Sequence, residues 1–408
     1  MKKNNKKLVH IVKRSDIKSW QAWLIRLGVF AVALLVCGIA STIVKPGSFA
    51  KFFKYLFIGS FGTKDRVLSM FQDMALLLCV AIALTPAFKM RFWNIGGEGQ
   101  ILLGCLMCML CIYYAGGIMP NWAVVIICFI ASVVAGAVWA LIPALFKAKW
   151  NTNETLFTLM MNYVAIQLVK YCVTKWAPGG SNSMGTWAAG SIPVIGNTPE
   201  LFNILIIAVL TILVAIYLRF SKHGYEISVV GESINTARYI GINIKKVIIR
   251  TMLLSGAICG FCGFLLVSGK SHTLNENLSN NMGFTAILIS WLGHFNPLAM
   301  ALTSFIYAFL SKGAKFASDQ FRIGDSFNAV ITGIFFFFII ASEFFINYKV
   351  VFHIKGFKRN ARVAQTTDNF GSDKDAAQNS EQSINEFQSA CVEETTENNS
   401  EREVKEAK

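Results

Sequence analysis

Apolar runs of membrane-crossing length recur along nearly the whole chain, and they exclude most folds before any motif is considered. Charges are sparse from roughly 22 to 44, 66 to 88, 99 to 119, 121 to 147, 155 to 175, 200 to 218, 247 to 268, 283 to 314 and 327 to 346. Each run is near the ~20 residues a helix needs to cross the hydrocarbon core. The run beginning at 283 exceeds one span and breaks at "GHFNP", Gly293 to Pro297, because proline interrupts the helical hydrogen-bond ladder. Counted as two pieces, it brings the total to about ten. A mean hydropathy of +0.51, with 54% hydrophobic and 15% charged residues, is far too apolar for a soluble domain. The expected fold is an all-α integral membrane protein of about ten transmembrane helices.

Orientation follows from the basic residues beside the runs. Lys2, Lys3, Lys6, Lys7, Lys13, Arg14 and Lys18 precede the first and put the N-terminus in the cytoplasm. Alternation then places "FKMRFW", "FKAKWN", the segment Arg219 to Arg250 and "YKVVFHIKGFKRNAR" inside as well. Lys312, Lys315 and Arg322 oppose this, falling on an expected outer loop with only Asp319 and Asp325 to offset them. The chain thus divides into a basic cytoplasmic segment, 1–21, a membrane domain, 22–347, and a cytoplasmic tail, 348–408. From about Thr366 the tail is polar and acidic without an apolar pattern, and is read as disordered. The net charge of +15 sits mostly on cytoplasmic flanks, where lipid headgroups account for it, and no basic patch interleaved with stacking aromatics indicates nucleic acid.

Motifs for catalysis or metal binding are missing from the sequence. Cys105, Cys108 and Cys111 recur at helical spacing, but no His or carboxylate shares that face, so they read as small residues packing between helices, with no metal or cofactor. Cys37, in "LLVCG", follows a bulky Val36 inside a continuing apolar run and is read as part of an uncleaved helix. "GFLLVSGKS", Gly263 to Ser271, ends like a phosphate loop, yet Phe264 stands where its first glycine should be. No nucleophile elbow or H-E-x-x-H appears. The chain is not expected to be an enzyme.

Carboxylates within or beside the runs are functional candidates, since an unpaired charge in the membrane costs several kcal/mol. Asp73 is in reach of Arg66, Glu343 of Lys349, and Glu154 belongs to an N-terminal capping stretch from Asn151. Glu98 is the strongest, in "NIGGEGQ" between Gly96, Gly97 and Gly99, with Asn94 and Gln100 beside it. Glycines let the backbone approach a ligand, a helix starting near Gln100 offers unpaired N–H groups, and amides suit a neutral polar ligand. Two roles stay open for Glu98: ligand contact and helix cap.

"NNMGFTAILISWLG", Asn280 to Gly293, repeats the same pattern of an irregular Gly/Asn segment followed by an apolar helix. Paired interrupted segments in corresponding positions of two halves point to a transport site. Between the halves, Glu232 to Tyr239 has helical character, with Ile234, Ala237 and Ile240 on one face, and is either a docking element or a connector. The loop Trp176 to Glu200 reads as a shaped outer surface, suited to an extracellular binding protein.

Together, "FWNIGGEGQILLG", "NETLFTLMMNY", "GESINTARYIGI" and "GFTAILISWLGHFNP" resemble ABC-importer permeases, within the nucleoside branch of the ribose and branched-chain amino acid permease family. The resemblance runs from about 65 to 345. Trp93 departs from the usual Phe, "ESINTA" from the usual Asn with paired Ala, and Ala286, Ser290 and Trp291 from smaller residues. It implies two pseudo-repeated halves, a second permease subunit, an ATP-binding subunit that hydrolyses the nucleotide, and a surface lipoprotein delivering substrate at the bacterial cell membrane. The expected cargo is a nucleoside, with a simple sugar or other small polar solute as the alternative, and an ion-coupled carrier after that. The implied pathway residues are Asn94, Gly96, Gly97, Glu98, Gln100, Asn162 and Phe284. Those implied to couple to the ATPase are Gly231, Glu232, Asn235, Ala237, Arg238 and Gly241.

Overall fold

The structure is a computed structural model that describes residues 9–13, 19–177, 179, 181–194, 196, 198–324 and 326–352. The tail from Thr366, expected to be disordered, and most of the basic N-terminal segment lie outside the described residues. The helices fall within one unit, Ile11–Val350. They are α1 (Ser19–Val44), α2 (Phe49–Phe61), α3 (Lys64–Lys89), α4 (Gly97–Ala115), α5 (Asn121–Trp150), α6 (Glu154–Trp176), α7 (Glu200–Phe220), α8 (Lys222–Glu232), α9 (Ile234–Tyr239), α10 (Ile244–Leu266), α11 (Met282–Leu292), α12 (Pro297–Phe321) and α13 (Ser326–Asn347). Two short strands, Val9–Lys13 and Tyr348–Phe352, pair with each other.

Eight helices among the described residues are long and apolar enough to span a membrane: α1, α3, α4, α5, α6, α7, α10 with its π-helical extension to Ser271, and α13. The other two of the expected ten correspond to α11, too short to span at 11 residues, and α12, which is not among these eight; they meet at the expected break. There Pro297 occupies the first turn of α12, where its missing N–H costs nothing, and the Asn296 side chain accepts from Leu298 N at 3.1 Å. Burial separates an inner from an outer set. The most apolar stretch of α10 is 78% buried and those of α3 and α4 67%, against 17% for α7 and α13. The inner set closes through small residues: Gly256 and Gly260 of α10 cross Gly136 of α5 with backbones in contact. Cys105 fits the same seam, its Sγ donating to Gly263 O at 3.5 Å.

Two expectations require correction. Asp73 does not pair with Arg66: its carboxylate receives Lys270 at 2.5 Å and Lys312 at 2.8 Å, while Arg66 donates to Ile58 O and lies over the Phe316 ring. Glu343 pairs with Arg26 at 2.9 Å, while the side chain of Lys349, its expected partner, lies outside the described residues. These partners come from other helices because a carboxylate in a bundle is neutralised across helices as readily as along one. Lys312 and Lys315 lie on no loop, since α12 continues through them to Phe321.

Helix α2 is an element the apolar-run criterion misses, because Lys51 and Lys54 interrupt a 13-residue stretch. It is held by a separate core in which Phe52 and Leu56 pack with Ala33 and Cys37 of α1 and Leu310, Ala314 and Phe335 of α12 and α13. Ser60 adds a hydrogen bond to Phe309 O at 2.8 Å.

The connections sort to two ends, as alternation requires. At one, the loop after α6 is pinned by Asn121, which donates to Ser191 O and accepts from Gly190 N, and by an isolated bridge of Met184 to Leu274. At the other, Ala87, Met90 and Phe92 share a core with Ala140 and Ala144 of α5, Ile227 and Val230 of α8, Ala237 of α9 and Val247 of α10.

Candidate functional site

Helix α3 ends on this second end, and the chain then runs without helix through Arg91 to Gly96 before α4 begins. A segment leaving a helix inside a bundle exposes backbone groups that must be satisfied from outside itself. The polar residues of "NIGGEGQ" and their neighbours do this. Asn94 is fully buried: its Oδ1 accepts from Gly96 N at 3.0 Å and Gln100 Nε2 at 3.3 Å, and its Nδ2 donates to Ser255 Oγ at 3.2 Å. Asn162 of α6 binds both sides of the break, accepting from Gly99 N at 2.9 Å and donating to Ile95 O at 2.8 Å. Thr158, one turn earlier, accepts from Ile95 N. Asn94, Gly96, Gln100 and Asn162 are therefore brought into one network. Within it Gln100 Oε1 is buried with no hydrogen-bond partner.

Glu98 does something else. At 3% exposure, its carboxylate reaches away from its own helix and accepts from Gly283 N at 2.7 Å and from Ser279 Oγ. Gly283 lies in the first turn of α11, so this carboxylate caps the N-terminus of the second interrupted helix while standing in the first turn of α4. Both helix dipoles present their positive ends to it. The approach is close enough to require glycine, since a Cβ on Gly283 would lie 2.3 Å from Glu98 N. Of the two segments, α4 at 19 residues is long enough to span and only α11, at 11, is a half-helix. Gly97 opens α4 against Leu84, and Phe284 follows Gly283, half-buried.

The second predicted set also gathers. Gly231, Glu232, Asn235 and Arg238 line one cavity of about 520 Å³, with Met90, Arg91, Lys147 and Glu154 opposite. The expected single helix from Glu232 is broken: α8 ends at Glu232, and Ser233, extended, caps α9 by accepting from Thr236 N at 3.3 Å. Gly231 lies against Lys89 O, where a Cβ would clash at 2.0 Å. Ala237 is buried and Gly241 turns the chain at φ +81°. Ile234, Tyr239 and Ile240 are exposed, so the predicted apolar face is split between an anchor and an outward surface. Glu154 is ion-paired to Lys147 at 2.8 Å, and the cap of α6 is Asn153, which accepts from Thr155 and Leu156 N. In the first turn of α8, buried His223 bridges Tyr217 Oη at 2.7 Å and Thr251 Oγ1 at 3.3 Å. Burial, and next the Arg250 charge, hold its imidazole below the usual histidine value.

Residues 66–369 match the family described as branched-chain amino acid transport system / permease component. A glucose ABC transporter permease protein of Haloferax volcanii is 27% identical over 354 residues, 83% of this chain and 92% of that one. A guanosine ABC transporter permease protein of Bacillus subtilis is 24% identical, over 76% and 90% of the two chains. A nucleoside ABC transporter permease protein of Lactococcus lactis is also 24% identical, over 70% and 81%.

Proposed function

Because the chain belongs to the branched-chain amino acid transport system permease-component family, we propose that it is the multi-pass membrane subunit of an ATP-driven importer of nucleosides. The observation that carries the reading is the junction at Glu98, where interrupted segments of the two halves meet N-terminus to N-terminus. Two converging dipoles, an unpaired Gln100 acceptor and a half-buried Phe284 suit a neutral solute with polar edges and a flat face. Asn94, Gly96, Gly97 and Asn162 hold the backbone that forms the site. The guanosine and nucleoside relatives favour nucleosides, while the glucose relative supports a sugar as the second reading.

Association with an ATPase and a substrate-binding component follows from the family. The ATPase docks where α9 exposes Ile234, Tyr239 and Ile240 beside the cavity of Glu232, Asn235 and Arg238. A second permease subunit completes the channel, a surface lipoprotein meets the loop Trp176 to Glu200, and both termini are cytoplasmic. The test is uptake of labelled purine and pyrimidine nucleosides and glucose into cells expressing the complex, with copurification of the ATPase. Nucleoside uptake that needs ATP is expected. Uptake driven by a proton gradient without an ATPase would refute the importer reading, and uptake of glucose alone would replace the cargo.

A further inference from the structure

Four aromatic side chains not assigned a role above meet beside the α8–α9 end. Trp93, just before α4, and Trp291, near the end of α11, have ring centroids 4.8 Å apart at 49°. Phe88 adds contacts to Trp93 at 6.3 Å and to Phe295 at 6.2 Å. With Lys89 and Arg91 these rings line a cavity of about 400 Å³, within the roughly 300–1,000 Å³ of small-molecule sites.

Tryptophans at a membrane surface ordinarily anchor singly in the headgroup layer. This pair differs, being drawn from two distant segments and packed ring to ring in a concavity, with 41% and 48% of their surfaces still open. The backbone on both sides is strained: Arg91 at φ +59°, His294 at +48° and Phe295 at +58° hold the left-handed conformation without being glycine. Such strain persists where surrounding structure imposes it, and it concentrates at ligand sites and switches. The two residues lie 198 positions apart in the chain, and the fold makes them neighbours.

We propose that Phe88, Trp93, Trp291 and Phe295 bind the planar heteroaromatic part of the transported solute at the inner end of the pathway and so select nucleosides. The rings supply faces for stacking a base, and Lys89 and Arg91 supply only donors, matching the carbonyl and ring-nitrogen acceptors on a base edge. Arg91 also lines the cavity of Glu232 and Arg238, which puts the stacking site one residue from the docking surface. The inference rests on the nucleoside reading.

The test uses the whole complex in proteoliposomes, with uptake of labelled adenosine, uridine and glucose measured for wild type, Trp93→Ala, Trp291→Ala and the double variant Trp93→Phe/Trp291→Phe. Each Ala variant should weaken apparent nucleoside affinity about tenfold, the order of one lost base–aromatic stack, with the ATPase copurifying normally and any glucose transport unchanged. The Phe double variant should keep nucleoside transport. Saturable quenching of tryptophan emission by adenosine should appear in wild type and vanish in the Phe double variant, a readout independent of how the Ala variants fold. Unaltered affinity in the Ala variants, equal loss for nucleoside and glucose, or quenching that persists in the Phe variant each overturns the stacking site alone. A wild-type complex that carries glucose and no nucleoside overturns the cargo reading beneath it.

Discussion

Replacing Glu98 by alanine separates the two roles its sequence position allows. If Glu98 only capped its own helix, truncation would cost about 1 kcal/mol, as at an ordinary cap. In the structure the carboxylate instead satisfies Gly283 N at 2.7 Å and the Ser279 hydroxyl, both buried, and faces two helix N-termini. Truncation leaves two buried donors, at about 1–3 kcal/mol each, so the expected loss is about 2–6 kcal/mol. Ser279 can turn its hydroxyl elsewhere, which draws the value toward the lower half. Glu98→Gln, retaining one carbonyl acceptor but turning an amide donor toward a donor, should fall between. Eight of the nine cysteines described are buried, so a thiol-reactive dye reports melting in detergent as they become exposed. The expected order of melting temperature is wild type, then Gln, then Ala, with nucleoside uptake falling in the same order. Gly283→Ala should be as damaging as Glu98→Ala, because its Cβ would lie 2.3 Å from Glu98 N. If Glu98→Ala melts with wild type, or Gly283→Ala is harmless, the junction is not what joins the halves.

Three further outcomes follow. Arg238→Glu reverses a charge on the wall of the α9 cavity and should abolish copurification of the ATPase while leaving the melting temperature within about 2 °C of wild type, since surface substitutions stay within about 0.5 kcal/mol. Asp73→Asn leaves Lys270 and Lys312 facing each other without their carboxylate; these groups are partly exposed, so the cost should be about 1–2 kcal/mol, well below that of a fully buried pair, and Lys312→Met should recover part of it in the same melting assay. His223, depressed below its ordinary 6.5, favours the neutral ring in the fold; its stabilising contribution is complete above that value and is lost as pH falls through the lower folded value. Melting temperature should therefore drop between pH 7 and 5, and His223→Gln should flatten that part of the profile.

What the sequence reveals and what it conceals divide along a physical line. Spans, the break at Pro297 and the paired Gly/Asn segments are local: each follows from length, a missing donor or a run of small residues within some ten positions. The ion pairs are not local. Asp73 finds Lys270 across 197 positions and Arg26 finds Glu343 across 317, so choosing the partner of Asp73 by nearness in the chain selected Arg66 and failed. The α8–α9 break lies between these cases, because Ser233 followed by Thr236 carries a capping signal that apolar periodicity alone passes over.

The same line runs through the site. That Glu98 stands at a helix start is readable from its glycines, but the helix it caps is α11, reached only through the fold. Trp93 and Trp291 are unrelated in the sequence, and their 4.8 Å ring separation makes them one surface. Type and spacing in a membrane chain therefore identify which residues are exceptional. Packing decides which exceptions act together, and here it sorts them into two groups: a junction that joins α4 to α11, and an aromatic cavity beside the α8–α9 end.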